Sequence, residues 1–221
     1  MEQYLLDFKD SITFNDEDYI VTSSNENAVK WVDNWPKWGD GIYSNVVCIF
    51  GEKSSGKTHL SQIWGRKASA VTISKVDIVD STYMDSTCNS YILEDLETFL
   101  SHEMKLFYFI NHIINSKKFL FITANSPINR MQFGLEDLKS RLESFLLIEI
   151  KKPDENMIEQ ILVKYFSDRQ VSVSAAVIKY LVVRVNFSYK EILQVVDRLD
   201  RASLVAQKNI SIPFIKSILS L

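Results

Sequence analysis

The chain has little cysteine. Cys48 and Cys88 are its only two, far apart and without Cys or His neighbours at metal-ligand spacing, which excludes a disulfide framework and a zinc site and fits a reducing, cytoplasmic setting. It also lacks a dense Lys/Arg block. With 25 basic against 28 acidic residues and a net charge of -3, it has no electrostatic footprint of an autonomous DNA binder, so any contact with DNA is expected to be indirect. No stretch reaches the roughly 18 uninterrupted apolar residues that span a bilayer, and Met1-Glu2-Gln3-Tyr4 is not a basic stretch leading into an apolar run. Neither membrane insertion nor secretion is expected. Internal repeats and low-complexity segments are missing too.

What is present suits a soluble globular protein. The 46% apolar and 24% charged content over 221 residues can bury one core domain plus a smaller appendage. Short apolar runs read as strands at 45–50, 70–73, 90–93, 119–123 and 145–150, several of them apolar on both faces as buried parallel strands require. Helical stretches lie between them at 58–66, 97–115 (with Leu100, Met104, Phe107 and Ile110 as its apolar stripe) and 135–143. This alternation predicts an α/β fold with a parallel sheet covered on both sides. After Ile150 only helical periodicity continues. Met157, Ile158, Ile161, Leu162, Tyr165 and Phe166 form one apolar face, and Ile192, Val195, Val196, Leu199 and Ala202 another. With helices at 174–185 and 212–219 this predicts a small all-α domain of four helices. Pro153 disfavours helix before it and Asp154 can cap the helix after it. The expected division is 1–12 as a terminal peptide, 13–152 as the α/β domain and 153–221 as the helical domain.

The octet Gly51-Glu52-Lys53-Ser54-Ser55-Gly56-Lys57-Thr58 satisfies G-x-x-x-x-G-K-[ST] between an apolar strand and a helix start. Gly51 and Gly56 allow the turn that points Ser54, Ser55 and neighbouring amides at phosphates, and the helix N-terminus adds partial positive charge. Lys57 is expected to bridge phosphate oxygens of a purine nucleotide, and Thr58 to place its hydroxyl on Mg²⁺. In the first helical turn, His59 completes this candidate group. A Gly/Ser-rich turn with an ordinary surface lysine is the plainer alternative.

Tyr91-Ile92-Leu93-Glu94-Asp95 is an apolar strand ending in two carboxylates. Glu94 and Asp95 are candidates for holding Mg²⁺ with Thr58 and for polarising an attacking water. The longer acid stands first and the shorter second, the reverse of the usual order, which predicts weak hydrolysis. A strand end before a solvated helix start would look the same. Asn125 follows the next strand, where nucleotide chemistry gathers, and is the candidate sensor of the terminal phosphate; an Asn before Ser-Pro is also a routine turn residue.

With these motifs in this order, the chain resembles, over almost its whole length, the branch of AAA+ P-loop ATPases that contains the bacterial replication initiator DnaA and the shorter Hda-type regulators. Leu135-Glu136-Asp137-Leu138-Lys139-Ser140-Arg141 resembles the stretch that carries the arginine finger, which makes Arg141 the candidate, although alone it would read as a helix residue paired with Glu143. Ile150-Lys151-Lys152-Pro153-Asp154 looks like the junction to the helical lid. Asn34-Trp35-Pro36-Lys37-Trp38, Leu199-Asp200-Arg201-Ala202-Ser203-Leu204 and Ile212-Pro213-Phe214 are closer to the Hda type than to DnaA. The resemblance implies base contacts from Ile20, Val21 and Asn25, which would serve equally as core residues and a helix cap. It puts Lys190 where the family has a nucleotide-contacting arginine, so the charge is kept and the planar fork lost.

Gln3-Tyr4-Leu5-Leu6-Asp7-Phe8 resembles the peptide by which such proteins bind the DNA polymerase III sliding clamp, with Gln3, Leu6 and Phe8 as anchors, although six residues of this kind also suit an edge strand. The resemblance thus implies a nucleotide-bound (ADP or ATP, with Mg²⁺) negative regulator of replication initiation. Its partners would be DnaA and the DNA-loaded clamp, and it would use Arg141 to promote ATP hydrolysis on DnaA. Because the chain ends just after the lid, no DNA-binding domain is expected. A stand-alone ATPase and a helicase loader are the rival readings, and the oligomeric state is left open.

Overall fold

The computed structural model describes residues 19–85, 87–184 and 188–219; the expected clamp peptide lies outside them. Its centre is β1 (Val46–Gly51), whose consecutive apolar residues are buried on both faces. β4 (Phe119–Ala124) and β5 (Leu146–Ile150) pair with β1 on either side, and β3 (Ser90–Leu93) and β2 (Val71–Thr72) continue outward. The order is β2-β3-β4-β1-β5, parallel throughout. Parallel neighbours require crossovers, and the helices supply them.

Alternation along the strands sorts the core into two layers. Val47, Ile49, Ile92 and Phe121 face one side, against α1 (Glu26–Asp33) and α2 (Lys57–Ala68). Val46, Cys48, Tyr91, Leu93, Leu120 and Ile122 face the other, against α3 (Lys75–Asp80), α4 (Glu103–Asn115) and α5 (Glu136–Glu143). On the first side Trp64 of α2 is fully buried, stacked on Trp38 at 5.4 Å and leaning on Phe121 at 5.3 Å. The Trp38 indole donates to the Trp31 carbonyl at 2.8 Å. These contacts seat α2, and with it the loop that precedes it.

The helical part consists of α6 (Glu155–Asp168), α7 (Ala175–Val182), α8 (Tyr189–Ala206) and α9 (Ile212–Leu219). Asp154 caps α6 as its sequence suggests, its carboxylate accepting from the Met157 amide at 2.7 Å. Ile158, Leu162, Phe166, Leu181, Ile192, Val196, Leu199 and Ile215 form its core, which runs on into the first sheet layer through Ile150 and Met157. The observed architecture is therefore the expected parallel α/β core followed by an all-α lid.

Three local expectations need correction. The stretch 97–115 is not one helix: a 3₁₀ segment (Leu96–His102) gives way to α4 at His102. The change of repeat rotates the buried stripe to Leu106, Phe109, Ile110 and Ile113 and leaves Met104 51% exposed. The strand at 70–73 shrinks to Val71–Thr72 because it lies at the sheet edge with one neighbour, although the Ile73 amide still reaches the Ile92 carbonyl at 2.8 Å. Helix α3 was not anticipated. Its local signal was the Ser74/Asp77 capping box, in which the Ser74 amide donates to Asp77 at 2.8 Å and the Ser74 hydroxyl accepts from the Asp77 amide at 3.3 Å. Among the described residues no helix is long and apolar enough to cross a membrane.

Candidate functional site

The glycine-rich loop joins β1 to α2 at the carboxyl edge of the sheet. Gly51 stands where a Cβ would lie 2.7 Å from the Ile150 carbonyl oxygen, so only glycine lets the strand leave β5 at this point. Gly56 has φ of +90°, and Ser54, at +70°, also adopts a left-handed conformation. The turn closes on Lys57, whose ammonium donates to the carbonyls of Gly51 at 2.9 Å and Glu52 at 2.8 Å. Burial lowers the pKa of this ammonium, while the charges of Asp95 and Glu97 oppose that shift. The Ser55 hydroxyl is buried in the same loop without a hydrogen-bond partner. An orphaned hydroxyl, a left-handed glycine and an inward lysine suit phosphate oxygens, so the residues present fit the nucleotide that the motif implies.

The cleft above this loop has a volume of about 650 Å³. Tyr19, Ile20 and Asn25 wall it on one side and Met157, Ile161, Tyr165, Tyr189 and Leu193 of the lid on the other, with Ser54, Ser55, Gly56 and His59 as its floor. Asn25 is 1% exposed and spends its side chain on the backbone, accepting from the Thr22 amide at 2.9 Å and donating to the Ile20 carbonyl at 2.8 Å. It thereby holds the wall in shape. Val21 is 50% exposed and is not among the lining residues. Lys190 is exposed and also outside the lining, whereas Tyr189, Leu193 and Asp197 of the same helix face the cleft. His59 lies edge-on to Tyr19, with ring centroids 5.2 Å apart. Its neighbour Leu60 is turned by α2 into the core, 1% exposed, away from the cleft.

The two acids after β3 part company. Glu94 turns back over α2, where Ser61, Gln62 and Thr58 donate to it at 2.6, 3.2 and 3.3 Å. Asp95 has φ of +52°, a left-handed conformation that aspartate tolerates. Its amide donates to the Thr123 hydroxyl at 2.9 Å, and its carboxylate accepts from the Asn125 side chain at 3.1 Å. Among the described residues no three His, Cys, Asp or Glu side chains cluster as a metal site. Thr58 and Glu94, 3.3 Å apart, are hard oxygen donors of the kind that join phosphates and waters around Mg²⁺ in nucleotide sites. Glu97 was missed in the sequence. Its carboxylate accepts from the amides of Asn125 at 2.6 Å and Ser126 at 3.2 Å, and only its place two residues beyond the acidic pair hinted at this.

Arg141 lies in the last turn of α5 and is not among the residues lining the cleft. Its partner is Tyr43: the guanidinium donates to the phenol oxygen at 2.6 Å and sits 5.1 Å from the ring centroid.

Comparisons with known proteins agree with this geometry. Residues 154–219 match the family described as "Hda, lid domain". Domain III of the replication initiation protein DnaA from Thermotoga maritima superposes with a TM-score of 0.75 at 17% identity, over 94% of this chain and 95% of that one. AMPPCP-bound DnaA from Aquifex aeolicus gives 0.66 at 20% identity, over 82% of this chain and 63% of that one. The Holliday junction branch migration motor RuvB of Thermotoga maritima gives 0.66 at 13% identity, over 88% of this chain and 68% of that one. In sequence, an uncharacterised protein of Haemophilus influenzae is 26% identical over 209 residues, 89% of this chain and 90% of its own length. The chain thus joins a helical region that matches the Hda lid family to a parallel α/β core, of order β2-β3-β4-β1-β5 with a phosphate loop after β1, and as a whole it has the fold of DnaA domain III.

Proposed function

We propose that this chain is a nucleotide-bound regulator of replication initiation that promotes hydrolysis of the ATP carried by DnaA. The observation that carries the reading is the separation of two functions on one module. A phosphate cradle faces the chain's own cleft, whereas Arg141 is not among the residues that line this cleft and rests on Tyr43. An arginine serving the chain's own nucleotide would face that cleft; one offered to a partner would not.

In this reading the cleft holds ADP or ATP, a function supported by the likeness to a DnaA that binds AMPPCP. Gly51–Thr58 would cradle the phosphates, Lys57 would exchange its two carbonyl partners for phosphate oxygens, and Thr58 with Glu94 would hold Mg²⁺. Bound Mg²⁺ would neutralise charge on the phosphate oxygens. Asp95 and Asn125, joined by a hydrogen bond, would face the terminal phosphate. With Glu94 engaged by three donors and Asp95 short, water activation within this chain is weak, and the nucleotide chiefly sets the angle between lid and sheet. Arg141 would enter the nucleotide site of DnaA and stabilise the charge that develops on its terminal phosphate, with Gln3, Leu6 and Phe8 holding the chain on a DNA-loaded clamp. DNA is then reached through the clamp.

The test is hydrolysis of DnaA-bound ATP with and without this protein and a DNA-loaded clamp. Stimulation is expected only with both present. It should fall on the order of 10³-fold with Arg141→Ala, the scale of a lost arginine finger, and clamp dependence should vanish when Gln3 and Leu6 become alanine. Fast clamp-independent turnover by the protein alone, abolished by Lys57→Ala, would instead identify a stand-alone ATPase.

A further inference from the structure

We infer that Tyr43 is a positioning residue for Arg141: it holds the guanidinium in the direction from which it enters the partner's nucleotide site. The inference rests on the reading of Arg141 as a finger and adds a residue that this reading does not contain.

Arg141 is attached to Tyr43 in two ways at once. Its Nη1 donates to the phenol oxygen at 2.6 Å, the length of a strong charge-assisted bond, and the guanidinium carbon lies 5.1 Å from the centroid of the same ring. The ring is itself fixed by an edge contact with Phe145, centroids 5.7 Å apart, and Phe145 is 6% exposed just before β5. A long arginine side chain ordinarily samples many rotamers, and ordering it on docking costs conformational entropy. Tyr43 removes much of that freedom beforehand, because the hydroxyl fixes one nitrogen and the ring limits the tilt of the plane.

The contact orients the guanidinium without consuming it. One of its five N–H groups serves the phenol, and four remain for phosphate oxygens. A carboxylate partner would have neutralised the charge and competed with phosphate. Tyr43 is uncharged and leaves the positive charge available. The sequence neighbour Glu143 is not the partner shown for Arg141, although it lies two residues away. The pairing also ties the loop before β1 to the end of α5, 98 residues apart in sequence. The direction of the finger is therefore set from the loop that leads into β1, the strand before the phosphate loop.

The decisive variant is Tyr43→Phe, which keeps the ring and its packing on Phe145 and removes only the hydroxyl. Stimulated hydrolysis of DnaA-bound ATP is measured against the concentration of this protein, at saturating DNA-loaded clamp, for wild type, Tyr43→Phe, Tyr43→Ala and Arg141→Ala. Tyr43→Phe is expected to lower the maximal stimulated rate about tenfold, the scale of one lost hydrogen bond to a charged group, with the half-saturating concentration and the thermal midpoint unchanged. Tyr43→Ala should fall further, towards Arg141→Ala. A raised half-saturating concentration with an unchanged maximal rate would assign Tyr43 to docking and overturn the inference. So would a Tyr43→Phe curve that superposes on wild type while Arg141→Ala is inactive, and in that case the finger itself would stand. Arg141→Ala stimulating as well as wild type would remove the finger and the inference together.

Discussion

Asn125 donates its side-chain amide to Asp95 across 3.1 Å, joining the carboxyl end of β4 to that of β3. The bond separates the two neighbouring acids: Glu94 serves Thr58 and Ser61, and Asp95 serves the strand next door. Asp95→Asn keeps the size and loses the charge, so the Asn125 amide faces another amide in place of an anion. We expect binding of diphosphate to change less than threefold and the preference for triphosphate over diphosphate to shift by about tenfold, on the scale of one charge-assisted hydrogen bond. Titration with the two nucleotides in the presence of Mg²⁺ measures it, and equal shifts for both would contradict the assignment.

Glu97 holds the turn after β4 through the amides of Asn125 and Ser126. Glu97→Ala would leave those donors without their acceptor at a cost of about 1–3 kcal/mol. Glu97→Gln keeps one acceptor oxygen and should recover at least half of that loss in chemical denaturation. If alanine and glutamine are equally destabilising, charge and not the acceptor oxygen is what the turn requires.

The pH dependence of stability should carry a contribution from Asp154. Hydrogen bonds from the Ser23 hydroxyl, the larger cause, and the Met157 amide hold its carboxyl below the ordinary value of 3.8. The unfolded chain therefore binds this proton at higher pH than the native one. The stabilisation is full above about pH 3.8 and is lost as pH falls through the lower native value. Asp154→Ala should cost about 1 kcal/mol at neutral pH, as a lost N-cap does, and the difference from wild type should shrink in acid. A difference independent of pH would rule out this linkage.

Gly51→Ala would place a methyl carbon 2.7 Å from the Ile150 carbonyl oxygen. Backbone cannot yield as a side-chain end can, so β1 and β5 must separate at the end of their ladder. A loss of about 1–3 kcal/mol in denaturant unfolding is expected, accompanied by weakened nucleotide binding because the loop leaves from the same residue. Normal stability with normal binding would show that the strand end has slack.

Much of this site is legible locally. Gly51–Thr58 announces itself because a phosphate loop is a continuous segment whose glycines, lysine and hydroxyl act through their own backbone. Asp154 announces a cap because the donor it serves is three residues away. The face of α4 was misread because a 3₁₀ turn resets the repeat at His102, and no local pattern marks where the hydrogen-bond spacing changes. A helix places adjacent residues on different faces, so that His59 meets the cleft and its neighbour Leu60 the core.

By itself the sequence determined the phosphate loop, the order of strand and helix, and the change to an all-helical lid after Ile150. Each of these follows from hydrophobic period or from a motif whose parts are contiguous. Only the tertiary structure decided which acid faces which partner, that Glu97 grips the turn after β4, and that Arg141 rests on Tyr43. These pairings join residues between 28 and 98 positions apart. The acid pairings exist because the parallel sheet brings the carboxyl ends of separate strands to one edge and a left-handed φ at Asp95 sends two neighbouring carboxylates in different directions. Arg141 and Tyr43 meet instead at the opposite, amino end, before the paired strands β5 and β1.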